Sequence, residues 1–339
     1  MNENGMIPFF SFHHIQEILQ HDDDRVVFER WSLINMFPQI AWMCSYSDEN
    51  VLGSVFDVHL IEVKYLLDNP QSGSGEFKNE VVGKYIKYSD GKDFTARFEL
   101  VYAQVRDYGL VNTQKSKVIE SLSHVQDREI NETKLSILFE TQLRNPAFLN
   151  SHITKFEGQL VESLELKGDE KLIDISETAK SFVSEVIADS KLLYAADSSL
   201  FEAFVNNAGV RMDQVTPKTT VGQLGSLAVY NKRIRQILES LCMPKDREID
   251  IPYDKQIVWI IQEYLDTAMM YEKRAHGSNM QDRHMAIFSI FVDIFTADKR
   301  VTEYFRQLSR KRPDLKRVFG DIVKLSSYSN LNKLTGHPL

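Results

Sequence analysis

Three aspartates mark out the stretch Gln281–Arg300 as a place for chemistry. Asp282 and His284 stand at its head on what the pattern predicts to be a helix. An apolar run follows that reads as a buried strand and contains Asp293, and Thr296-Ala297-Asp298-Lys299-Arg300 closes the stretch. Carboxylates at the ends of a buried strand are suited to a hard divalent cation, since Mg²⁺ or Mn²⁺ takes oxygen ligands and keeps several waters. The same residues also fit a plainer account, in which Asp282 caps a helix, Asp293 is a strand-edge acid and Asp298 opens a turn.

The residues after Asp298 carry the opposite charge. Lys299, Arg300, Arg306, Arg310, Lys311, Arg312, Lys316 and Arg317 are concentrated there, with Tyr304 and Phe305 among them. Such clusters bind phosphate backbones through counterion release, and aromatic rings nearby offer base stacking. The alternative is a solvated helix face whose aromatics turn to the core. Elsewhere, Asp57, Glu62 and Lys64 fit loosely the acid then Glu-x-Lys spacing of restriction-type nucleases, which needs a strand to put Glu62 and Lys64 on one face. His13 and His14 lie four and three residues before Glu17, as a metal face or as ordinary histidines at a strand-to-helix corner.

Two parts of the chain resemble a PIN-like nuclease domain. Gln281–Arg300 resembles its C-terminal half, where a helix bearing an Asp leads to a strand and a Thr-x-Asp-Lys/Arg turn. Ile7-Pro8-Phe9-Phe10-Ser11-Phe12-His13-His14-Ile15-Gln16-Glu17 resembles its second strand and the helix with an early active-site Glu. The resemblance implies metal-dependent cleavage of RNA. Glu17, Asp282 and Asp298 would be catalytic metal ligands, Asp293 would be a possible fourth, and Thr296 and His284 would lie beside them. Lys299, Arg300, Arg306, Arg310, Lys311 and Arg312 would grip the backbone, with Mg²⁺ or Mn²⁺ as cofactor and RNA as partner. One departure stands out. The first strand of such domains ends in an Asp, and no counterpart precedes Ile7 in this sequence. That defect brings in a non-cleaving nucleic-acid-binding or scaffold protein of the same fold as the first alternative, and a helical interaction module as the second.

The elements that must position these residues follow from punctuation and periodicity. Asn69-Pro70-Gln71-Ser72-Gly73-Ser74-Gly75 reads as a linker. Beyond it, amphipathic patterns over Lys78–Lys87, Phe94–Tyr108, Gln114–Val125, Asn131–Leu143, Asn150–Leu166 and Ser176–Asp189 predict successive helices. Ser199-x-x-Glu202 and Gly209 read as helix caps, and Ser226–Leu241 as a further helix. Asp254 opens a helix through Ile257, Ile260, Ile261, Tyr264 and Leu265. The fold class expected is therefore α/β, a PIN-like three-layer parallel sheet with a large all-helical insertion. Its domain would comprise residues 1–68 and 246–339, and residues 69–245 would be inserted, offering a surface for self-association.

Composition narrows the rest. The chain has 339 residues, 43% hydrophobic and 26% charged, with a net charge of −8. An acidic body argues against a protein that coats nucleic acid generally, so any such site must be local. Cys44 and Cys242 stand alone and make neither a disulfide framework nor a zinc site, which predicts buried thiols in a reducing cytoplasm. No apolar run reaches a membrane span, no Glu-x-x-His pair suggests a di-iron bundle or a zincin, and no GxGxxG, GKS/T or GxSxG occurs.

Overall fold

Apolar runs bounded by turn formers build short strands here, and longer 3.6-periodic patterns build the helices around them. The computed structural model describes residues 6–99 except 20 and 22, then 131–137, 200–244, 251–270 and 279–324. It also describes isolated residues of 102–184 and residues 246–247. Contacts divide the chain into two compact units, residues 1–112 with 249–339, and residues 113–248.

The first unit is mixed α/β with small sheets. β1 (Phe9–Phe10) pairs parallel with β2 (Ile40–Met43), Phe9 opposite Ala41. Between them run α1 (Phe12–Leu19) and α2 (Asp24–Asn35), the latter opened by Asp23, whose carboxylate accepts from the Arg25 amide at 2.9 Å. After β2 come α3 (Val55–Asp68) and α4 (Ser74–Tyr85), and then β3 (Ile86–Ser89) returns antiparallel to β2. α5 (Gly91–Arg97) begins at an Asp90 cap. The Asn69–Gly75 stretch is thus a turn between two helices of one unit. Phe77, Val81 and Ile86 bury into the same core as Val55, Val58 and Ile61. The Lys78–Lys87 helix ends two residues early because Ile86–Ser89 finds β2 as a partner.

Val51–Val63 becomes helix rather than strand. Ser54 and Asp57 form a capping box, with the Asp57 carboxylate also accepting from Ser45 Oγ at 2.6 Å and the Tyr46 amide at 3.0 Å. On a helix Glu62 and Lys64 cannot share a face, which removes the restriction-type arrangement. Lys64 pairs with Asp68 at 2.9 Å on the surface. Glu62 is fully buried instead and receives the Ile257 and Val258 amides, at 2.5 Å and 3.2 Å, at the start of a distant helix.

In the second unit, α6 (Leu200–Asn207) ends at Gly209, whose φ of +71° is the left-handed conformation that favours glycine. α7 (Val221–Ser240) starts five residues ahead of the sequence expectation, because Thr220 and Gln223 form a capping box. Leu135, Val205, Val210, Val215 and Leu224 make its core. Cys242, expected to be buried, is exposed, while Cys44 is buried. The expected helix at Gln114–Val125 lies outside the described residues, as does Ser199; Asn131–Leu143, Asn150–Leu166 and Ser176–Asp189 are described in part, and the described residues of the last two are helical.

The chain re-enters the first unit at α8 (Ile257–Met270). Asp254 sits in the preceding 3₁₀ turn, and Glu62 of α3 takes the capping position expected of it. The helix expected at Asp282 is α9 (Asn279–Ile287), and the apolar run expected as a buried strand begins instead as the end of that helix and a 3₁₀ turn, Phe288–Ile290. Ala286, Ile287, Phe288 and Ile290 are each buried to within 1%, so the segment is apolar on every side and its period could not separate helix from strand. Strand begins only at β4 (Ile294–Ala297), and a βαβ unit follows: β4, α10 (Lys299–Lys311), and β5 (Asp321–Lys324) parallel to β4. Gly320 permits the return, since a Cβ there would stand 2.1 Å from the Val292 carbonyl oxygen. Among the described residues no helix is long and apolar enough to cross a membrane.

Candidate functional site

The carboxyl ends of β1 and β4 lead directly into α1 and α10, the positions at which open α/β sheets place their ligands. Ser11 ends β1 and fixes the corner, its amide donating to His14 Nδ1 at 3.2 Å and its hydroxyl lying 2.7 Å from the same nitrogen. His13 Nε2 accepts the Val55 amide at 3.3 Å. Burial pushes both imidazoles down to about 4, so they are neutral at physiological pH. These histidines are structural parts of the corner, and the His13 ring lies 4.5 Å from that of His284 on α9.

That ring contact marks where α1 packs on α9. Glu17 follows on α1, and Asp282 stands in the first turn of α9, where a carboxylate complements the helix N-terminus. The proton affinity of Glu17 is raised, first by desolvation and then by Asp282, with Arg30 opposing. Asp298 caps α10, its Oδ1 accepting the Val301 amide at 2.7 Å. Arg300 joins the two aspartates. Its Nη2 donates to Asp282 Oδ2 at 3.1 Å and lies 3.6 Å from Asp298 Oδ2. Arg300 thus links Asp282 with Asp298, and Glu17 is close enough to Asp282 to feel its charge.

The other candidates fall apart from them. Asp293 precedes β4 and is exposed, its carbonyl accepting the Asp321 amide at 2.7 Å. Four strand residues separate it from Asp298, about 16 Å at strand rise. Thr296 is exposed within β4, and His284 is half-buried against His13.

The donor set bears on what could bind. Among the described residues no three His, Cys, Asp or Glu side chains are grouped so as to hold a metal ion by themselves. Glu17 and Asp282 supply two carboxylates, the number with which Mg²⁺ is commonly held when substrate phosphate and water complete its shell. Their repulsion is what a divalent cation relieves. The pair thus fits a cation that arrives with a phosphate.

α10 presents its charges away from the core. Val301, Phe305 and Leu308 are buried and Tyr304 is half-buried, on one face. Lys299, Glu303, Arg306 and Arg310 recur at helical spacing on the opposite face. Arg306 pairs with Glu303 at 2.6 Å, Arg312 holds Asp314 at 2.8 and 3.0 Å, and Lys311 lies 5.0 Å over the Tyr264 ring. Lys299 and Arg310 make no ion pair among the described residues, and neither do Lys316 and Arg317 just beyond. Of the six cations expected on the backbone grip, Arg300, Arg306 and Arg312 stand in ion pairs and Lys311 lies over Tyr264, while Lys299 and Arg310 are exposed. Arg300, expected on the backbone grip, belongs to the acid cluster, a role legible only once α9 and α10 are placed together.

The chain matches no protein-family model, no curated protein and no solved structure. The chemistry of the site has to be read from its side chains.

Proposed function

We propose that the protein is a PIN-like, divalent-metal-dependent ribonuclease, acting where Glu17, Asp282 and Asp298 meet. The observation that supports this reading is the link among them: Arg300 bridges Asp282 and Asp298, and desolvation and then the charge of Asp282 raise the proton affinity of Glu17.

Glu17 and Asp282 would hold Mg²⁺ or Mn²⁺, which when bound would polarise the phosphodiester and lower the pKa of a bound water. The remaining work falls to the chain. Asp298 fixes the start of α10, and that helix carries Lys299 and Arg310 along its solvent face, continued by Lys316 and Arg317. Those cations suit the backbone of a single strand leading to the acids. The two neutral histidines hold α1 so that Glu17 faces Asp282.

A second reading is favoured by a specific contact. Arg300 already neutralises Asp282 and Asp298, as it would in a protein that binds nucleic acid without cutting it. Cleavage of single-stranded and hairpin RNA with Mn²⁺, Mg²⁺ or EDTA separates the two, run beside Asp282→Asn/Asp298→Asn. Metal-dependent cutting that the double variant loses is expected. RNA binding with no cutting under any metal establishes the second reading in its place.

A further inference from the structure

A cavity of about 260 Å³ opens in the first unit where the Gln71–Ser74 turn, the start of α8 and the turn after α10 meet. None of Glu17, Asp282 and Asp298 lines it. Leu66, Phe77 and Leu315, all buried, give it an apolar floor, and the fully buried Glu62 lies on it as well. Small-molecule sites are commonly built this way, as an apolar cavity with a few polar groups and a perturbed acid among them. Glu62 is only partly used by α8. Its Oε1 accepts the Ile257 and Val258 amides at 2.5 and 3.2 Å, and its Oε2 has only the Val258 amide, at 3.2 Å. Burial raises Glu62 to about 8, so at neutral pH the carboxyl carries a proton. The two amides are donors and cannot accept it.

The other charged residues on the cavity are Asp254 and Lys255 ahead of α8 and Arg312 and Asp314 after α10. Arg312 and Asp314 hold each other at 2.8 Å. Asp254 is exposed, whereas Lys255 is half-buried and makes no ion pair among the described residues. The Pro70 carbonyl fixes Lys255 Nζ beside the turn at 2.7 Å, and an ammonium has two further donors after that bond.

We propose that this cavity binds a small carboxylate with an apolar body, whose oxygens accept from Lys255 and Glu62 while its hydrocarbon covers Leu66, Phe77 and Leu315. The inference is independent of the nuclease reading. A volume of about 260 Å³ is below the roughly 300–1,000 Å³ of sites for drug-sized ligands, which limits the body to a short branched or aromatic chain. Two cations against two acids at the rim leave no excess of positive charge for a polyphosphate. A free short-chain acid and an apolar amino acid share this chemistry. The α-ammonium of the second is the one group in either that Asp254 can hold.

The test is isothermal titration calorimetry of the full chain with isocaproate, leucine, isohexanol and isohexylamine, repeated with Lys255→Gln and Glu62→Gln, thermal melting showing that both variants are folded. At neutral pH isocaproate, leucine or both should bind at least about tenfold more tightly than the alcohol and the amine, the scale of one hydrogen bond to a charged group. Leucine alone identifies an amino acid site, and isocaproate alone a site for the free acid. Lys255→Gln should weaken that binding by about tenfold. Between pH 7 and 9 wild type should lose about tenfold in affinity as Glu62 gives up its proton, and Glu62→Gln, which keeps a donor and cannot ionise, should lose little. Binding of the alcohol or the amine as tight as that of the carboxylates overturns the proposal, because the cavity would then take apolar matter without reading the carboxylate. Binding that Lys255→Gln leaves unchanged, or that falls with pH equally in wild type and Glu62→Gln, places the ligand elsewhere and overturns it too, as does binding by none of the four.

Discussion

Burial pushes two glutamates of the first unit toward protonation, and they differ in what stands opposite them. Glu62 faces backbone: the Ile257 and Val258 amides point at its carboxyl from the first turn of α8, and burial still raises it to about 8. Glu17 faces another acid, Asp282, whose own partner is a long flexible arginine. Backbone donors cannot move, so the Glu62 contact is a joint between α3 and α8. An acid opposed by an acid, with an arginine beside it, is held by side-chain charges rather than by fixed backbone donors. Similar desolvation thus meets rigid partners in one place and side chains that can move in the other.

The largest effect should come from breaking the joint. Glu62→Ala leaves two buried amides without an acceptor and a void beneath α8, a loss of about 2–4 kcal/mol. Glu62→Gln keeps an acceptor of nearly the same shape and should lose about 1 kcal/mol. Urea unfolding of both variants measures the difference, and neither should alter Mn²⁺ affinity. If Glu62→Ala weakens metal binding as much as it weakens the fold, the two glutamates are not independent and the contrast fails.

Smaller but more diagnostic is the dependence on pH. Folded Glu62 holds its proton from its ordinary value of 4.5 to about 8, so its contribution to stability falls as pH rises across that window. His13 and His14 act oppositely. Their folded values near 4 lie below the ordinary 6.5, so the unfolded chain takes up protons there and stability is lost as pH falls below 6.5. Two histidines outweigh Glu62 below 6.5, although Glu17 and Asp266, both raised by burial, flatten that limb, and above 6.5 Glu62 dominates at up to about 1.4 kcal/mol per pH unit. Stability should peak near pH 6.5, and thermal melts from pH 5 to 8.5 should show the alkaline fall vanish in Glu62→Gln.

What the sequence disclosed, and what it hid, follows the same division. Local signals were legible: Gly209 as a helix end and the helix through Ile257, Ile261 and Leu265 depend on residues within a few positions. Glu17, Asp282 and Asp298 were singled out by a resemblance in motif order, and the Arg300 contact that links Asp282 to Asp298 was not foreseen. Glu62 as the cap of α8 was not, because its amides lie 195 residues away. Arg300 was misplaced for a related reason. In the sequence it adjoins Lys299 and a run of cations, and only the approach of α9 reveals that it turns to the acids. Met285–Ile290 failed differently, since complete burial erases the face that distinguishes a helix from a strand.

The smallest effect tests the polar side of the site. Lys299→Gln and Arg310→Gln remove cations that pair with no acid among the described residues, so neither should change stability by more than about 0.5 kcal/mol. If phosphates lie along α10, each should weaken RNA binding and reduce the slope of log K against log salt by about 0.7. Arg306→Gln is the internal control, because that guanidinium is held by Glu303 at 2.6 Å and exchange with a phosphate would have to break the pair first. Its slope change should be smaller than that of either free cation. Fluorescence anisotropy of a labelled single strand across 50–300 mM salt, values on the order of those that resolve such slopes, measures all three variants. Equal slope changes in the three would mean that RNA sees only the net charge of the region. A change confined to Lys299 and Arg310 would mean that it follows the stripe that ends at Asp298 and the acids.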